Sequence, residues 1–204
     1  MFPAVMPVLL PLLTAWFLQT APAAPAEPAP RELTELRQSL AQTRKVSARF
    51  KQTRHWAALQ DALVTQGTFQ YQKGGKLVWR TEPPSESELV IEGKTATIRY
   101  PALDTTERID FASEPGMARV FDSISAVVEA DLDRLQPLFE LSVEKKAPIS
   151  LLLTPRTKEL ASVVQRIRLE FDKELRLTRV LLEESGGDST DIVFSKHSVE
   201  KGAR

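Results

Sequence analysis

The spacing of apolar residues first indicates a helix near residue 30. Three leucines recur at i, i+3 and i+7, namely Leu33, Leu36 and Leu40. This spacing places one apolar stripe along a helix. Pro30 precedes it, and proline is tolerated where a helix begins because the N–H that it lacks would have no helical partner. The pattern therefore predicts an amphipathic N-terminal helix.

From Val46 onward the apolar period changes to two residues. Val46, Ala48 and Phe50 alternate with polar side chains, as in a half-buried strand. Residues 53–63 carry no clear period and are expected to form a loop or an irregular hairpin. Four short strand patterns follow, with Gly-Gly, Pro-Pro and Gly-Lys breaks between them: residues 65–72, 76–81, 88–92 and 95–100. Closely spaced strands with turn signals predict an antiparallel meander.

The centre of the chain differs from the segments around it. Apolar residues in the segment 116–139 return to helical spacing, which predicts one or two short helices. The strand pattern then resumes in five runs: residues 141–145, 149–154, 166–171, 175–183 and 190–196. One antiparallel sheet with a helix in front and a small helical element in the middle is an α+β fold.

The first 26 residues carry no charged side chain and include an apolar stretch at 5–18. Fourteen residues are short for a membrane span, which needs roughly 20. Small residues follow the stretch, as in a secretory signal peptide. We therefore expect a signal peptide at 1–26, a Pro/Ala linker at 27–32 and a folded domain at 33–204, with a retained N-terminal anchor as the alternative.

Composition narrows the function classes. The chain has 204 residues, with 27 Lys plus Arg against 27 Asp plus Glu. A net charge of zero argues against a protein that binds nucleic acid or an anionic membrane by charge alone. The chain has no cysteine, which excludes disulfides, thiolate metal sites and a lipidated N-terminal cysteine.

The sequence offers no convincing catalytic motif. Gly74-Gly75-Lys76 resembles the end of a phosphate loop, but Leu77 stands where Ser or Thr should follow, so a hairpin turn is the better interpretation. The two histidines, His55 and His197, are far apart and lack neighbours at metal-ligand spacing. We therefore expect neither an enzyme nor a cofactor or metal.

Large apolar side chains are concentrated on the predicted strands. Two interpretations remain open at this point, since these groups either form an ordinary core or line a concave sheet that binds an apolar ligand. Composition does not decide between them.

The order of motifs resembles a known family. The motifs are 46–52 (VSARFKQ), 67–69 (GTF), 73–79 (KGGKLVW), 89–94 (LVIEGK), 152–155 (LLTP) and 191–194 (DIVF). Together they resemble the periplasmic carriers of outer-membrane lipoproteins, the LolA type. The resemblance extends over nearly all of the predicted domain.

This resemblance implies a strongly curved, unclosed half-barrel with an N-terminal helix and central lid helices over an apolar cavity. The cavity would shield the acyl chains of lipoproteins in the periplasm. It also implies an inner-membrane ATP-driven exporter and an outer-membrane receptor as partners, a monomeric carrier and no nucleic acid. The expected cavity residues are Val46, Ala48, Phe50, Phe69, Tyr71, Leu77, Trp79, Leu89, Ile91, Ile98, Phe121 and Ile124.

The sequence departs from the family pattern at two places. Lys73 and Gly74 stand where the family has Arg-Pro, and the family arginine is associated with closing the lid, so Lys73 is the candidate lid latch. The usual further C-terminal strand with an aromatic-Pro-Gly pattern is also missing. The alternatives are therefore a carrier of another amphiphile, such as a glycolipid or polyene lipid, and a periplasmic lipid-sensing module. Because the family receptor is a lipoprotein, a chain without cysteine resembles the soluble carrier.

Overall fold

The computed structural model describes residues 30–113, 125–127 and 129–202. The predicted signal peptide, residues 27–29 of the predicted linker, and Phe121 and Ile124 of the predicted cavity lie outside these residues. The described helices are α1 (Arg31–Ala41), α2 (Leu132–Leu135) and α3 (Lys158–Ala161), with a 3-10 turn at Pro101–Leu103. Residues 125–127 are also helical. None of the described helices is long and apolar enough to span a bilayer.

All the described strands form a single antiparallel sheet. Its strands are β1 (Thr43–His55), β2 (Leu63–Gln72), β3 (Lys76–Thr81), β4 (Ser87–Glu92), β5 (Thr95–Tyr100), β6 (Thr105–Asp110), β7 (Phe139–Lys146), β8 (Ile149–Pro155), β9 (Val164–Phe171), β10 (Leu177–Glu184) and β11 (Ser189–Lys201). The spatial order is β6-β5-β4-β3-β2-β1-β11-β10-β9-β8-β7. Two meanders are thus joined where the first strand pairs with the last. Because β6 and β7 are opposite edges, the described sheet is unclosed, and the predicted α+β fold class is confirmed.

The apolar core lies on one face of the sheet, and α1 packs against it. Leu33 is 5% exposed and Leu36 is fully buried. The second meander contributes three fully buried leucines, Leu151, Leu153 and Leu169. Complete burial of one such side chain stabilises the fold by about 1.5–3 kcal/mol. The predicted helix with Leu33 and Leu36 on its inner face is therefore confirmed.

An aromatic cluster joins the strands at the centre of the sheet. The Trp79 ring centroid lies 4.1 Å from that of Phe50, 5.8 Å from that of Phe69 and 6.2 Å from that of Phe194. Aromatic pairs in this distance range contribute beyond their buried area. The cluster connects β1, β2, β3 and β11, so the two meanders share one core.

Most predicted strands agree with the structure to within two residues at each end, but one strand, one short α-helix and the 3-10 turn were not predicted. In β6, five of six residues are exposed, so no apolar alternation marks it as a strand. The short helix α3 has no buried residue and therefore no apolar stripe.

The last strand is longer than predicted because it contains a β-bulge. Ser47 pairs with Ser198 and Arg49 pairs with Ser195, so two residues of β11 lie opposite Ala48. One of these two, Lys196, has a φ of 50°. A bulge shifts the side-chain alternation by one residue. The apolar phase therefore changes at the point where the predicted strand ended, at residue 196, and the strand continues to Lys201.

Candidate functional site

A cavity of about 220 Å³ lies where α1 ends and β1 begins. Apolar side chains from both meanders form part of its lining. The apolar lining comprises Leu40, Val46, Ala48, Phe69, Ala130, Leu132, Leu175, Leu177, Phe194 and Val199. The central strands and α1 together therefore contribute a shared apolar surface to the cavity.

Local strand geometry explains this lining. Alternation along β1 directs Val46 and Ala48 to the inner face, and Ala48 pairs directly with Phe69 of β2. On β11 the bulge keeps the inner face apolar, since Phe194 before it and Val199 after it both line the cavity. Without the added residue, Val199 would face outward.

Charged and polar side chains surround the mouth of the cavity. They are Arg37, Lys73, Glu129, Asp131, Asp133, Glu174, Arg176, His197 and Lys201. An apolar interior with a charged rim matches an amphiphilic ligand, whose chain is buried while its head stays at the surface. The described residues contain no group of three or more side chains that could hold a metal ion.

Across the mouth, α1 is connected to α2. Arg37 donates from Nη1 to Asp133 Oδ1 over 2.6 Å and from Nη2 to Gln136 Oε1 over 2.8 Å. The Asp133 side chain is 77% exposed. Exposed pairs contribute at most about 1 kcal/mol, so this connection holds the helices together only weakly.

A second connection joins β2 to the segment before α2. Burial, the charges of Glu129 and Asp131 and a hydrogen bond to Glu129 together raise the pKa of Tyr71 to about 12. Arg134 Nη1 in turn lies 2.9 Å from Glu129 Oε2, and the Glu129 side chain is only 10% exposed. Tyr71 therefore lies beside a partly buried ion pair at the wall of the cavity.

Two lysines approach the C-terminal end of α1. Lys73 Nζ donates to the Ala41 carbonyl over 2.7 Å, and Lys201 Nζ donates to Ser39 Oγ over 3.1 Å. Cationic side chains are favoured at a helix C-terminus, where the backbone carbonyls leave a partial negative charge. In the described residues, the predicted latch Lys73 thus bonds to the N-terminal helix.

The structure divides the predicted site residues into three groups. Those lining the cavity are Val46, Ala48, Phe69, Tyr71 and Lys73. Those outside the lining are Phe50, Leu77 and Ile91, which are buried in the core cluster, and Trp79, Leu89 and Ile98, which are half-buried against it. Phe121 and Ile124 are the third group, outside the described residues. Trp79 contacts two lining residues, Phe69 and Phe194.

Sequence reasoning missed the lining from the second half of the chain. The missed residues include Leu175, Leu177, His197 and Val199, together with Arg37 on α1. One signal was available, because the apolar positions of β11 change phase after Phe194. That change indicates a bulge and a longer strand rather than an end.

Comparisons with known proteins find similar sequences and folds. The family model described as "Outer membrane lipoprotein carrier protein LolA" matches residues 41–203. The chain is 23% identical over 168 residues to the outer-membrane lipoprotein carrier protein of Pseudomonas entomophila (strain L48), covering 81% of the chain and 76% of the relative. It is 25% identical over 187 residues to that of Pseudomonas putida (strain GB-1), covering 90% and 84%. The crystal structure of lipoprotein LppX from Mycobacterium tuberculosis is similar with a TM-score of 0.48 and 10% identity, covering 85% of this chain and 95% of that one.

Proposed function

Because the chain belongs to the LolA family of outer membrane lipoprotein carriers, we propose that it shields the acyl chains of lipoproteins in the cavity and carries them through the periplasm. Members of this family carry lipoproteins in general. In this proposal the cargo comes from an ATP-driven exporter of the inner membrane and passes to a receptor at the outer membrane. The signal peptide at 1–26 directs the chain to the periplasm.

The hydrophobic effect explains why such cargo needs a carrier. Each buried methylene contributes about 0.8 kcal/mol, so a single chain of roughly 15 methylenes resists transfer into water by about 12 kcal/mol. A protein cavity that offers an apolar surface removes most of this penalty. Binding of intermediate strength is then sufficient, since the cargo must also be released.

The observation that carries the proposal is a cavity lined by apolar side chains from both meanders together with charged side chains. The volume of this cavity, about 220 Å³, is below the range of about 300–1,000 Å³ that is usual for small-molecule sites. A lipoprotein anchor therefore requires the mouth to widen. The connection between Arg37 and Asp133 opposes widening by at most about 1 kcal/mol, because Asp133 is mostly exposed.

A pair of matched reporters tests the proposal. A purified triacylated reporter lipoprotein in detergent is mixed with the chain lacking residues 1–26, and the detergent is then removed. We expect a soluble one-to-one complex in size-exclusion chromatography. The same reporter with its lipidated cysteine replaced by serine should elute alone. Precipitation of the acylated reporter, or equal binding of both reporters, would contradict an acyl-chain carrier.

A further inference from the structure

The last strand of the sheet extends beyond its neighbour β10. It pairs with β1 along nearly its whole length. Its pairing with β10 ends where Val193 lies opposite Arg179, and β10 has only two further residues in that direction, since it begins at Leu177. Within the described part of the chain, residues 196–201 of β11 therefore have no strand beside them on the β10 side.

The hydrogen-bond pattern identifies free backbone groups in this segment. Alternate residues of an antiparallel strand direct their N–H and C=O to opposite neighbours. On β1 the Arg44 carbonyl accepts from the Lys73 N–H on the β2 side. The next residue, Lys45, is therefore bonded to β11, where Glu200 lies opposite it. Since Glu200 bonds to β1, the N–H and C=O of its neighbour Val199 point to the unpaired side.

This free edge borders the cavity. The side chains of His197 and Val199 line the cavity, while those of Ser198 and Glu200 are exposed. His197 Nε2 lies 2.8 Å from the Leu177 carbonyl oxygen, so the imidazole ring reaches the end of β10. The outer edges β6 and β7 contribute no residue to the lining that the structure describes. Among the described strand edges, the end of β11 is thus the one at which free backbone groups and the cavity meet.

The formal charges of the cavity lining cancel. The described lining contains two arginines and two lysines against two aspartates and two glutamates. A charged head group therefore gains little from it. The head of an acylated lipoprotein is instead a polypeptide, whose peptide units are uncharged and carry one donor and one acceptor each. An unpaired strand edge offers the complementary groups.

We propose that residues 196–201 bind the polypeptide that follows the lipidated cysteine of a cargo lipoprotein, as an added β-strand, while the acyl chain occupies the cavity. This inference rests on the proposed function and specifies how the protein part of the cargo is recognised. The polypeptide leaves the cavity at its mouth, where β11 ends. Because strand addition uses main-chain hydrogen bonds, it accepts many sequences after the cysteine.

Two ligands with the same acyl chain test the inference. Dodecanamide and a dodecanoyl hexapeptide amide of alternating serine and threonine are titrated below their micelle points. Each dissociation constant is obtained by displacement of a fluorescent fatty acid. We expect the hexapeptide ligand to bind about tenfold more tightly, which corresponds to about 1.4 kcal/mol. The gain is small because ordering of the peptide offsets part of the hydrogen bonding.

Methylated ligands distinguish strand pairing from other contacts with the peptide. A strand pairs through alternate residues along one of its edges. N-methylation of the even positions of the hexapeptide therefore differs in effect from N-methylation of the odd positions. We expect one set to abolish the tenfold preference and the other to retain it. Equal affinity of the wild type for dodecanamide and the unmethylated hexapeptide ligand, or equal effects of the two methylated sets, overturns strand addition.

Variants locate the pairing on β11. Val199→Pro lacks the N–H that points to the free side, and proline is tolerated on strand edges. We expect the ratio of the two dissociation constants to fall to about one. The matched control is Val199→Ala, which shortens the lining side chain but keeps the N–H and therefore the ratio. A second control is Thr106→Pro on β6. The Phe111 N–H bonds to the Lys94 carbonyl, so alternation directs the Thr106 N–H away from β5.

The outcomes separate this inference from the proposed function. An unchanged ratio in Val199→Pro overturns the assignment to β11 but leaves an acyl-chain carrier, and the methylated ligands test the wild type without any variant. Absence of binding by both acylated ligands overturns both proposals. An acetylated hexapeptide amide is the final arm. We expect it to displace no probe, and binding as tight as that of the dodecanoyl peptide would assign the edge to a partner protein instead of the cargo.

Discussion

Arg37 and Asp133 are 96 residues apart in sequence, yet Arg37 Nη1 lies 2.6 Å from Asp133 Oδ1 at the mouth of the cavity. The same guanidinium reaches Gln136 with its other terminal nitrogen. Its Nε is buried and has no hydrogen-bond partner among the described residues. Widening of the mouth must therefore either break this fork or move α1 and α2 together.

We expect Arg37→Gln to speed the entry of acyl chains. The shorter amide cannot bridge to both Asp133 and Gln136, so α1 and α2 separate more readily. Because Asp133 is mostly exposed, the free energy of unfolding should fall by at most about 1 kcal/mol. Stopped-flow uptake of a fluorescent fatty acid measures the rate.

The matched control for this prediction lies on the same helix. Arg31 pairs with Glu35 one turn away, on the exposed surface and outside the cavity lining. Arg31→Gln should leave the uptake rate unchanged. Identical rates for Arg37→Gln and the wild type would show that the fork does not limit entry.

Tyr71 should ionise only at strongly alkaline pH. Burial and the nearby Glu129 carboxylate raise its pKa to about 12, compared with about 10 for an unperturbed phenol. The chain has two tyrosines, so Tyr100→Phe leaves Tyr71 as the single titrating phenol. Absorbance at 295 nm of this variant should rise with a midpoint near pH 12.

The same shift predicts how stability depends on pH. A pKa that is raised in the folded state stabilises the fold fully below pH 10, and this stabilisation is lost as the pH rises toward 12, because the unfolded chain then releases its proton first. Tyr71→Phe should therefore flatten the fall in denaturation midpoint between pH 10 and 12. An equally steep fall in that variant would exclude Tyr71 as the cause.

Gly67 should tolerate no side chain. A Cβ built on it would lie 1.8 Å from the Arg80 carbonyl oxygen and 3.1 Å from Phe50. The carbonyl belongs to the backbone of the paired strand β3, so relief requires the two strands to separate. We expect Gly67→Ala to lower the free energy of unfolding by more than about 3 kcal/mol in urea denaturation. Gly186→Ala is the control, because no atom lies within 4 Å of its Cβ and its φ is not positive.

How far the sequence predicts the structure depends on the range of each interaction. The alternation of apolar and polar residues is a local pattern, so both ends of β3 and of β5 are predicted to the residue. The turn signals between neighbouring strands likewise predict the meanders. The contact of Arg37 with Asp133 depends on how α1 lies relative to α2 in the folded protein. No local sequence pattern encodes that arrangement. Similarly, Leu175 and Leu177 line the cavity because β11 lies between β1 and β10.

The bulge in β11 can be predicted only in part from the sequence. Phe194 and Val199 have opposite parity, and a strict two-residue period treats the second as outward-facing. The structure keeps both on the inner face, since Lys196 adopts a positive φ within the bulge. The deviation is visible in the sequence, but its meaning depends on pairing with Ala48 across the sheet.

Val199→Trp should reduce the binding of acyl chains by filling the cavity. Val199 lines it near the mouth and is half-buried, so a larger ring takes up space there without displacing the core. The control is Val193→Trp on the same strand, because Val193 faces outward and is 43% exposed. Affinity for fatty acids of 8 to 18 carbons is measured by calorimetry. We expect Val199→Trp to weaken binding increasingly with chain length, by about tenfold for the longest, since each excluded methylene removes up to about 0.8 kcal/mol.

The control variant, Val193→Trp, should bind fatty acids like the wild type. Equal losses in both variants would mean that the substitution acts through stability, and no loss in Val199→Trp would place the acyl chain elsewhere.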